Sequence, residues 1–488
     1  MIADLKPYAE YKDSGLPWLG HVPGHWETRP AFGAFLPNHD RNRGMKEKTV
    51  LSLSYGRIII KPPEKLHGLV PESFETYQIV NPGDIILRTV DLQNDHTSLR
   101  VGMVRNRGII TSAYLALRVN AGVNADFGFQ FLNVWDSSKA IYGYGSGLRQ
   151  NLDFAHFKRM PVAVPPPAEQ AAIVRFLDWA TGKLERAIRA KRKVIALLNE
   201  QKQAIIHLAV TGKMGSVNGE VRSVKDSASP FTLQTSPFKM KPSGIPWLGD
   251  IPKHWELWRI SRFARVGNGS TPSRANPSYW HGGTYPWLNS SQVNRGDIDS
   301  ADQFVTTLAL RECHLPKVPA GSVLVAITGQ GKTRGMSAVL GIEATINQHI
   351  AFITPRIPVA SPAYVHLALT AAYLELRAAS DDAGSTKGAI TCDELKRFKL
   401  PIPPLAEQED LLKRIQTETR ELGLATSRLN REIELLREYR TRLVADVVTG
   451  KLDVREAAAR LPAVEEAPVE SELAGVDETI DDLAEETA

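Results

Sequence analysis

Apolar residues return at every seventh position along two long, otherwise charged stretches of this chain. In the first stretch the repeat runs through Leu177, Leu184, Leu198 and Ile205, with Lys191 as its one charged position. In the second it runs through Ile415, Leu422, Leu429, Leu436 and Leu443, while a parallel line there holds Glu418, Glu432 and Asp446. A heptad pattern of this length predicts coiled-coil helices. Because charged residues interrupt the parallel line, the apolar stripe of the second helix is narrow, which suits contact with one partner helix. We therefore expect the two helices to pack on each other.

Outside the helices the apolar residues form short runs typical of β-strands. In the first half these runs are Arg57 to Lys61, Gly83 to Arg88 and Ala113 to Val119, and Gly, Pro and Asn turn signals separate them. In the second half, Gly321 to Ile327 resembles the run that starts at Gly83. The pattern predicts two mixed α/β domains with antiparallel strands.

The chain is an internal repeat. SGLPWLGHVPGHWE at 14–27 returns as SGIPWLGDIPKHWE at 243–256, identical at ten of fourteen positions. VPPPAEQ at 164–170 returns as IPPLAEQ at 402–408, and each opens a helical stretch that ends in VTGK. The opening phrases are 229 residues apart and the helices 238, so the second copy gains nine residues, mostly between Glu256 and Gly321. The chain is therefore predicted to contain two copies of one module.

The predicted architecture is α+β, with two mixed α/β domains joined by two long helices that pack as an antiparallel coiled coil with internal pseudo-twofold symmetry. The predicted segments, in chain order, are a first domain at 1–164, a helix at 165–214, a linker at 215–242, a second domain at 243–402, a helix at 403–452 and an acidic, disordered tail at 453–488.

Composition narrows the functional classes. No apolar stretch has the roughly 18 residues that a membrane span requires, and the first residues lack the apolar core of a secretion signal. Two cysteines in 488 residues do not form a disulfide framework, and they fit a reducing cytoplasm. The last 28 residues hold 10 acidic and no basic side chains, so residues 1–460 carry 59 basic against 44 acidic, a net +15. This basic body is consistent with a polyanionic partner.

Several short motifs resemble catalytic sites. AITGQGKT at 326–333 resembles a phosphate-binding loop, but the residues that follow it suit the returning arm of a hairpin better than a helix. Asn276-Pro277-Ser278-Tyr279 is one residue away from a motif of amino-methyltransferases, yet no glycine-rich cofactor turn accompanies it. His21 and His25 have no third ligand nearby, so we expect packing and turn hydrogen bonds there instead of a metal. A self-sufficient DNA methyltransferase or P-loop ATPase is the alternative interpretation, and a coiled-coil adaptor for proteins is a third.

The remaining polar residues are typical of DNA recognition. Arg pairs with guanine edges, Asn and Gln pair with adenine edges, and Lys and backbone amides bind phosphates. The DNA-binding candidates of the first module are Arg41, Arg43, Lys46, Arg88, Asn94, Arg100 and Arg105. Those of the second module are Ser270, Thr271, Arg274, Tyr279, Ser291, Gln292, Gln330, Lys332, Thr333, Arg334, Asn347 and Gln348.

Together these features resemble the specificity subunit of a type I restriction-modification enzyme, over most of residues 11–452. The resemblance is carried by the repeated Pro-Trp phrase, GSGLRQNL at 145–152, STPSRANPSYW at 270–280, INQHI at 346–350 and the two AEQ helices. It implies that the two globular domains are target recognition domains, each reading one half of a split DNA sequence, with the helices setting the gap.

The resemblance also implies partners and an absence of catalysis in this chain. Two methyltransferase subunits would carry S-adenosylmethionine, and two motor-nuclease subunits would carry ATP and magnesium, so no cofactor is expected here. The segments that match best between the modules are predicted to be scaffold and partner-docking surface. The docking candidates are Glu169, Gln170, Glu407 and Gln408.

Overall fold

The computed structural model describes residues 5–62, 73–90, 92, 99–144, 151–214, 238–329, 331–356, 358–381 and 388–462. Residue contacts divide the chain into two compact units. Unit 1 comprises Met1–Arg192 and Asn430–Val469, and unit 2 comprises Lys193–Leu429 and Glu470–Ala488. Each unit therefore contains one globular module and part of both long helices.

Unit 1 is built on a four-stranded antiparallel sheet of order β4-β11-β8-β9, and the pairs β1-β2, β3-β12, β5-β6 and β7-β10 surround it. The strands are β1 (Tyr11–Asp13), β2 (His21–Pro23), β3 (Glu27–Pro30), β4 (Phe35–Pro37), β5 (Leu51–Ser54), β6 (Arg57–Ile60), β7 (Gln78–Val80), β8 (Ile85–Leu87), β9 (Val101–Met103), β10 (Gly108–Ile110), β11 (Leu115–Val119) and β12 (Pro161–Val164). The predicted strands at 57–61, 83–88 and 113–119 are confirmed as β6, β8 and β11.

Helix α1 (Ala125–Ser137) closes the core of unit 1, and the short α2 (Phe154–Phe157) follows it. Asn124 caps α1 because its side chain accepts a hydrogen bond from the Phe127 backbone amide. The apolar face of α1 is fully buried at Phe131 and Trp135, and it joins one core with Trp26. Trp26, the second tryptophan of the repeated phrase, is therefore a core residue.

Two helices of 44 residues each carry the heptads, α3 (Pro167–Val210) and, after the second module, α9 (Leu405–Val448). In unit 1, Arg440 of α9 forms an ion pair with Glu185 of α3, and Lys191 forms one with Glu432. The heptad positions are buried near the helix ends, as at Leu177 and Leu443, but only half-buried at Leu198, Leu422, Leu429 and Leu436. The middle of each helix is therefore packed less fully than the heptad pattern suggests.

Unit 2 repeats the sheet of unit 1 and enlarges it. Its strands are β13 (Met240–Pro242), β14 (Asp250–Pro252), β15 (Glu256–Arg259), β16 (Ala264–Asn268), β17 (Tyr285–Leu288), β18 (Asp297–Ile298), β19 (Gln303–Val305), β20 (Val323–Ala326), β21 (Ser337–Leu340), β22 (Thr345–Ile346), β23 (Ile350–Pro355) and β24 (Lys399–Ile402). The order β16-β23-β20-β21 corresponds to β4-β11-β8-β9, and β18 is added parallel to β21. A further sheet of order β19-β17-β22 has no counterpart among the described strands of unit 1.

The shorter α-helices of unit 2 among the described residues are α4 (Ile260–Phe263), α5 (Thr307–Glu312), α6 (Pro362–Ala371), α7 (Tyr373–Asp381) and α8 (Cys392–Arg397). Strand β20 pairs antiparallel with β21, so the segment that resembles a phosphate-binding loop belongs to a β-hairpin, as predicted. A loop whose second arm is a strand lacks the helix amino terminus that would hold phosphates.

The acidic tail begins later than predicted. Asp453 bridges Lys6, and a short helix, α10 (Arg455–Ala459), follows it in unit 1. Val454 is fully buried in the unit 1 core, and the carbonyl of Leu461 accepts a hydrogen bond from the guanidinium of Arg175 at 2.7 Å. The predicted boundary at 453 is therefore wrong by at least nine residues, because apolar residues of this segment pack against the module. Within the described residues, no helix has the length and apolarity that crossing a membrane requires.

Candidate nucleic-acid interface

The glutamates of the two AEQ phrases are structural in this fold. Glu169 is 4% exposed, and its Oε1 accepts hydrogen bonds from Tyr8 Oη at 2.6 Å and Trp26 Nε1 at 2.8 Å. Its Oε2 lies 2.7 Å from His25 Nε2. Burial and the nearby carboxylate raise the pKa of Tyr8 well above its usual range, so the phenol stays protonated and donates.

Glu407 forms the corresponding contacts with a tryptophan and a histidine in unit 2. It accepts from Trp255 Nε1 at 3.0 Å and contacts His254 Nε2 at 2.9 Å. Its side chain is 21% exposed, so this carboxylate is less enclosed than that of Glu169. The two repeated phrases of each module thus meet at a junction of Glu, Trp and His, which we call the tryptophan junction.

The glutamines of the AEQ phrases are fully buried as well. In unit 1, Gln170 Oε1 accepts from the amide of Asn124, the residue that caps α1, at 2.7 Å. In unit 2, Gln408 Oε1 accepts from the amide of Ser361, which caps α6, at 2.9 Å. Both Nε2 groups donate to carbonyls, namely those of Gly122, Pro165, Val359 and Pro403. Each long helix is therefore tied to the start of a helix in its own module.

Burial and internal hydrogen bonds contradict the prediction that Glu169, Gln170 and Gln408 dock a partner. Glu407 is hydrogen-bonded to Trp255, but its side chain is 21% exposed, so its docking role stays a prediction. The missed signal was in the repeat itself. Two separate phrases that recur together are expected when they contact each other, and this contact explains the recurrence.

The second-module candidates meet at one edge of the unit 2 sheet. Asn268, which ends β16, pairs with Ala351, and Ala326, which ends β20, pairs with Ile350 at the start of β23. The loops after β16 and β20 and the turn before β23 therefore lie side by side. Thr271 Oγ1 donates to Gln348 Oε1 at 2.5 Å across two of these loops. Lys332 is exposed in the β20–β21 loop, and Thr333 there accepts from Asn294 Nδ2 at 3.3 Å.

Arg274 is exposed at this edge on an aromatic platform. Its guanidinium carbon lies 3.8 Å from the centre of the Trp280 ring and 5.0 Å from that of Trp287. The Nη2 group of Arg274 donates a hydrogen bond to Gln303 Oε1 at 2.7 Å. Stacking holds the planar group in place, and a guanidinium has five N–H donors, so most of them remain available to a ligand.

Two further candidates of unit 2, Tyr279 and Ser270, lie beside this platform, and a third, Ser291, lies in the short helical turn after β17. Tyr279 Oη donates to Glu312 at 2.9 Å, and this hydrogen bond raises the pKa of Tyr279. Ser270 is half-buried, with its hydroxyl 3.5 Å from the carbonyl of Cys313. Ser291 is exposed, and its hydroxyl donates to Asn289 Oδ1 at 2.6 Å.

Three candidates of unit 2 are instead buried. Gln292 is 3% exposed and accepts from the Asn289 amide, which completes a capping box. Asn347 is 5% exposed, and its Oδ1 accepts from the His349 amide. Arg334 is 2% exposed. The prediction that these three side chains contact DNA is contradicted by their burial, and Gln292 and Asn347 shape the neighbouring loops.

The first module has the equivalent edge. Leu115, which starts β11, pairs with Leu87, the end of β8, and Pro37 at the end of β4 pairs with Leu117. The loop after β4 carries the exposed Arg41, Arg43 and Lys46. Arg41 and Arg43 line a shallow cleft together with Glu75, Thr76 and Ser112. Sequence reasoning missed Ser112, because only strand register brings it beside the arginines.

Two arginines of the first module do not join this edge. Arg100 is fully buried, and its Nη1 donates to the carbonyls of Arg88 and Val90 at 3.2 and 2.9 Å, so the prediction that it contacts DNA is contradicted. Arg105 follows β9, which runs antiparallel to β8, so it lies at the opposite end of the sheet, paired with Asp126 at 3.0 Å. Arg88 is half-buried beside the edge. Asn94 and Gln330 lie outside the described residues.

Metal chemistry finds no support in the part of the chain that the structure describes, where no group of three or more His, Cys, Asp or Glu side chains is placed to hold an ion. The two edges have exposed cations, hydroxyls and amides. Such groups bind phosphates and base edges.

Comparison with known proteins agrees with this geometry. The family model of the type I restriction modification DNA specificity domain matches residues 252–435. The EcoR124I/EcoR124II specificity subunit of Escherichia coli is 28% identical over 36% of this chain and 44% of its own length. The MjaIX specificity subunit of Methanocaldococcus jannaschii is 30% identical over 34% of this chain and 38% of its own length. The chain thus spans less than half of each of these curated relatives.

A solved structure supports the fold. It is described as the structural basis of complex assembly and conformational transition of the type I R-M system, and one of its chains aligns over 88% of this chain and 99% of its own length, with a TM-score of 0.55 and 14% identity. The family model and the curated relatives agree, and both show that this chain is similar to type I restriction-modification specificity subunits.

Proposed function

We propose that this chain is the non-catalytic DNA specificity subunit of a type I restriction-modification complex, in which each unit reads one half of a bipartite target. One observation carries the proposal: exposed Arg, Lys, Thr and Gln side chains lie at the same edge of two sheets with the same strand order. Unit 2 would present Arg274, Lys332 and Gln348, and unit 1 would present Arg41 and Arg43. Because the surrounding strands differ between the units, the two half-sites would differ in sequence.

The long helices would set the gap between the half-sites. A 44-residue helix is about 66 Å long at about 1.5 Å per residue. Glu185 pairs with Arg440, and Lys191 pairs with Glu432. The residue numbers thus increase along α3 while those of their partners decrease along α9. This order supports an antiparallel coiled coil and, with the repeated modules, a pseudo-twofold arrangement.

The catalytic partners would be two methyltransferase subunits that carry S-adenosylmethionine and two motor-nuclease subunits that use ATP and magnesium, all in the cytoplasm with the host DNA. Because Glu169, Gln170 and Gln408 are buried, and Glu407 is hydrogen-bonded within its own module, we place the docking surface elsewhere. In unit 1, Leu435 and Tyr439 of α9 are 47% and 43% exposed and line a groove with Lys191 and Arg442. Exposed apolar side chains between charges are typical of a helix-docking surface.

Removing one facing heptad from each helix, 188–194 and 429–435, is expected to shorten the recognised gap and leave the half-site letters unchanged. Seven residues span about 10 Å, which corresponds to about three base pairs. The measurement is the set of methylated motifs in the genome of the native host carrying the altered gene. As a control, removal of a heptad from α3 alone should abolish methylation, because the residues of α3 would no longer face their ion-pair partners on α9. If the half-site bases changed while the gap stayed the same, the proposal that the helices set the gap would be contradicted.

Phosphate contacts at the two edges predict a steep salt dependence of DNA binding. Arg43→Ala and Lys332→Ala are each expected to reduce the slope of log affinity against log salt by about 1, since each removes one phosphate contact. The measurement is binding of the full chain with its methyltransferase partners to a target duplex at several salt concentrations. Arg105→Ala is the matched control, because Arg105 lies at the other end of the sheet. Equal slopes for all three variants would place the DNA elsewhere.

A further inference from the structure

We propose that Gln348 reads an adenine in the half-site recognised by unit 2, with its amide held in place by Thr271 and His349. This inference rests on the proposed function and adds a base identity to it. It concerns one side chain whose hydrogen bonds within the protein are specified, and whose remaining hydrogen-bonding capacity matches one base.

The backbone that carries Gln348 is anchored on both sides. The Asn347 amide donates to the carbonyl of Leu288 at 3.0 Å, and the amide of Ile327 donates to the carbonyl of His349 at 2.9 Å. The buried Asn347 side chain closes the turn by accepting from the His349 amide at 3.0 Å. Gln348 itself is exposed. A fixed turn therefore presents an exposed amide beside Thr271 in the loop after β16.

The Gln348 amide is oriented by two neighbours. Its Oε1 accepts from Thr271 Oγ1 at 2.5 Å, and its Nε2 lies 3.1 Å from His349 Nε2. When Nε2 of the glutamine donates, Nε2 of the imidazole accepts, so the histidine proton is on Nδ1. That proton is then donated to Thr328 Oγ1, which lies 2.7 Å away. A continuous chain of hydrogen bonds thus joins three neighbouring segments of the edge.

The capacity that remains on Gln348 matches adenine. Oε1 keeps one lone pair and Nε2 keeps one N–H, which together can accept from adenine N6 and donate to adenine N7. If the amide oxygen and nitrogen of Gln348 were exchanged, one acceptor and one N–H donor would still remain. The match to adenine therefore does not depend on how the two atoms are assigned. Guanine presents two acceptors at the corresponding positions and requires two donors, which this amide cannot provide.

The first module has a different residue at the equivalent position. Ala116 pairs with Ile86, and Phe352 pairs with Leu324, at matching places in the two sheets. Counting four residues back from each gives Ser112 and Gln348. A serine hydroxyl can donate or accept and selects bases weakly. The adenine assignment therefore applies to one half-site only, and Ser112 provides a matched control.

The test is selection from a random duplex library by the full chain in complex with its native methyltransferase partners. With the wild-type chain, one position of one half-site is expected to be enriched in adenine. Gln348→Ala should reduce the discrimination at that position by about 5- to 150-fold, the range of a good bidentate contact, and leave the other half-site unchanged. Gln348→Glu, which can only accept, should shift that position towards cytosine, whose N4 group donates.

The control and the other outcomes separate the inference from the proposed function. Ser112→Ala should leave the adenine position unchanged. If Gln348→Ala and Gln348→Glu select the same letters as wild type, Gln348 does not read a base and the inference is overturned, while the proposed function stands. If the wild-type complex selects no sequence, both the proposed function and the inference fail. Equal thermal unfolding midpoints of the variants and wild type would show that a loss of adenine comes from the contact.

Discussion

Glu169→Ala is expected to lower the free energy of unfolding by about 3–5 kcal/mol, the largest loss for a single change at the tryptophan junctions. The substitution leaves Trp26 Nε1 and Tyr8 Oη buried without their acceptor and removes the partner of His25. A buried donor left unpaired has lost its water without a replacement. The measurement is urea-induced unfolding of the full chain, followed by tryptophan fluorescence.

Two variants separate burial from charge. Glu407→Ala is the matched change in unit 2, where the carboxylate is 21% exposed and has two partners, so we expect a loss of about 1–3 kcal/mol. Glu169→Gln keeps an acceptor for Trp26 but removes the negative charge, so its loss of stability should fall between those of wild type and Glu169→Ala. Equal losses for Glu169→Ala and Glu407→Ala would mean that burial does not decide the strength of this junction.

The repeat and the heptads predict much of the fold because they reflect local physical requirements. A heptad requires a partner helix, and equal spacing from Glu169 to Thr211 and from Glu407 to Thr449 requires helices of equal length. The observed α3 and α9 both have 44 residues. The hairpin at β20–β21 was predictable for a similar reason, since two glycines and apolar residues after position 333 disfavour a helix.

The errors have one physical cause, since burial of a polar side chain depends on partners that are distant in sequence. Glu169 reads as a surface residue at a helix start, yet Trp26 enters from 143 positions earlier. Arg100 reads as a loop cation, but it is buried, and the segment after β8 supplies it with the carbonyl acceptors of Arg88 and Val90. Residue type and local pattern do not contain this information.

The candidate interface depended on register in the same way. The sequence suggested Arg41, Thr271 and Gln348 as separate polar residues. Strand pairing places Thr271 beside Gln348, and it places Ser112 in the cleft of Arg41. Arg105 is equally basic and exposed, but an antiparallel strand carries it to the other end of the sheet. Only topology separates these cases.

Gly450→Ala is expected to lower the free energy of unfolding by about 2–5 kcal/mol, because the end of α9 sits directly on the tryptophan junction of unit 1. Gly450 has φ +76°, and a Cβ built there would lie 2.3 Å from Pro23 Cδ and 3.1 Å from Trp26 Cη2. The left-handed backbone costs an alanine about 1–2 kcal/mol, and overpacking against a rigid ring adds about 1–3 kcal/mol. Unfolding in urea measures the sum.

Gly212→Ala in unit 2 should have a similar effect, since Gly212 lies just after the end of α3 with φ +66°, and its Cβ would lie 2.3 Å from Pro252 Cγ. Gly423→Ala is the opposite control, because this glycine has nothing within 4 Å of its Cβ in the middle of α9, and alanine there should stabilise the helix by about 0.5–1 kcal/mol. A Gly450→Ala protein as stable as wild type would show that the end of α9 does not need close contact with Pro23. The expected loss would instead explain why VTGK recurs with the Pro-Trp phrase: each glycine allows the end of a long helix to reach the tryptophan on which the AEQ glutamate is also anchored.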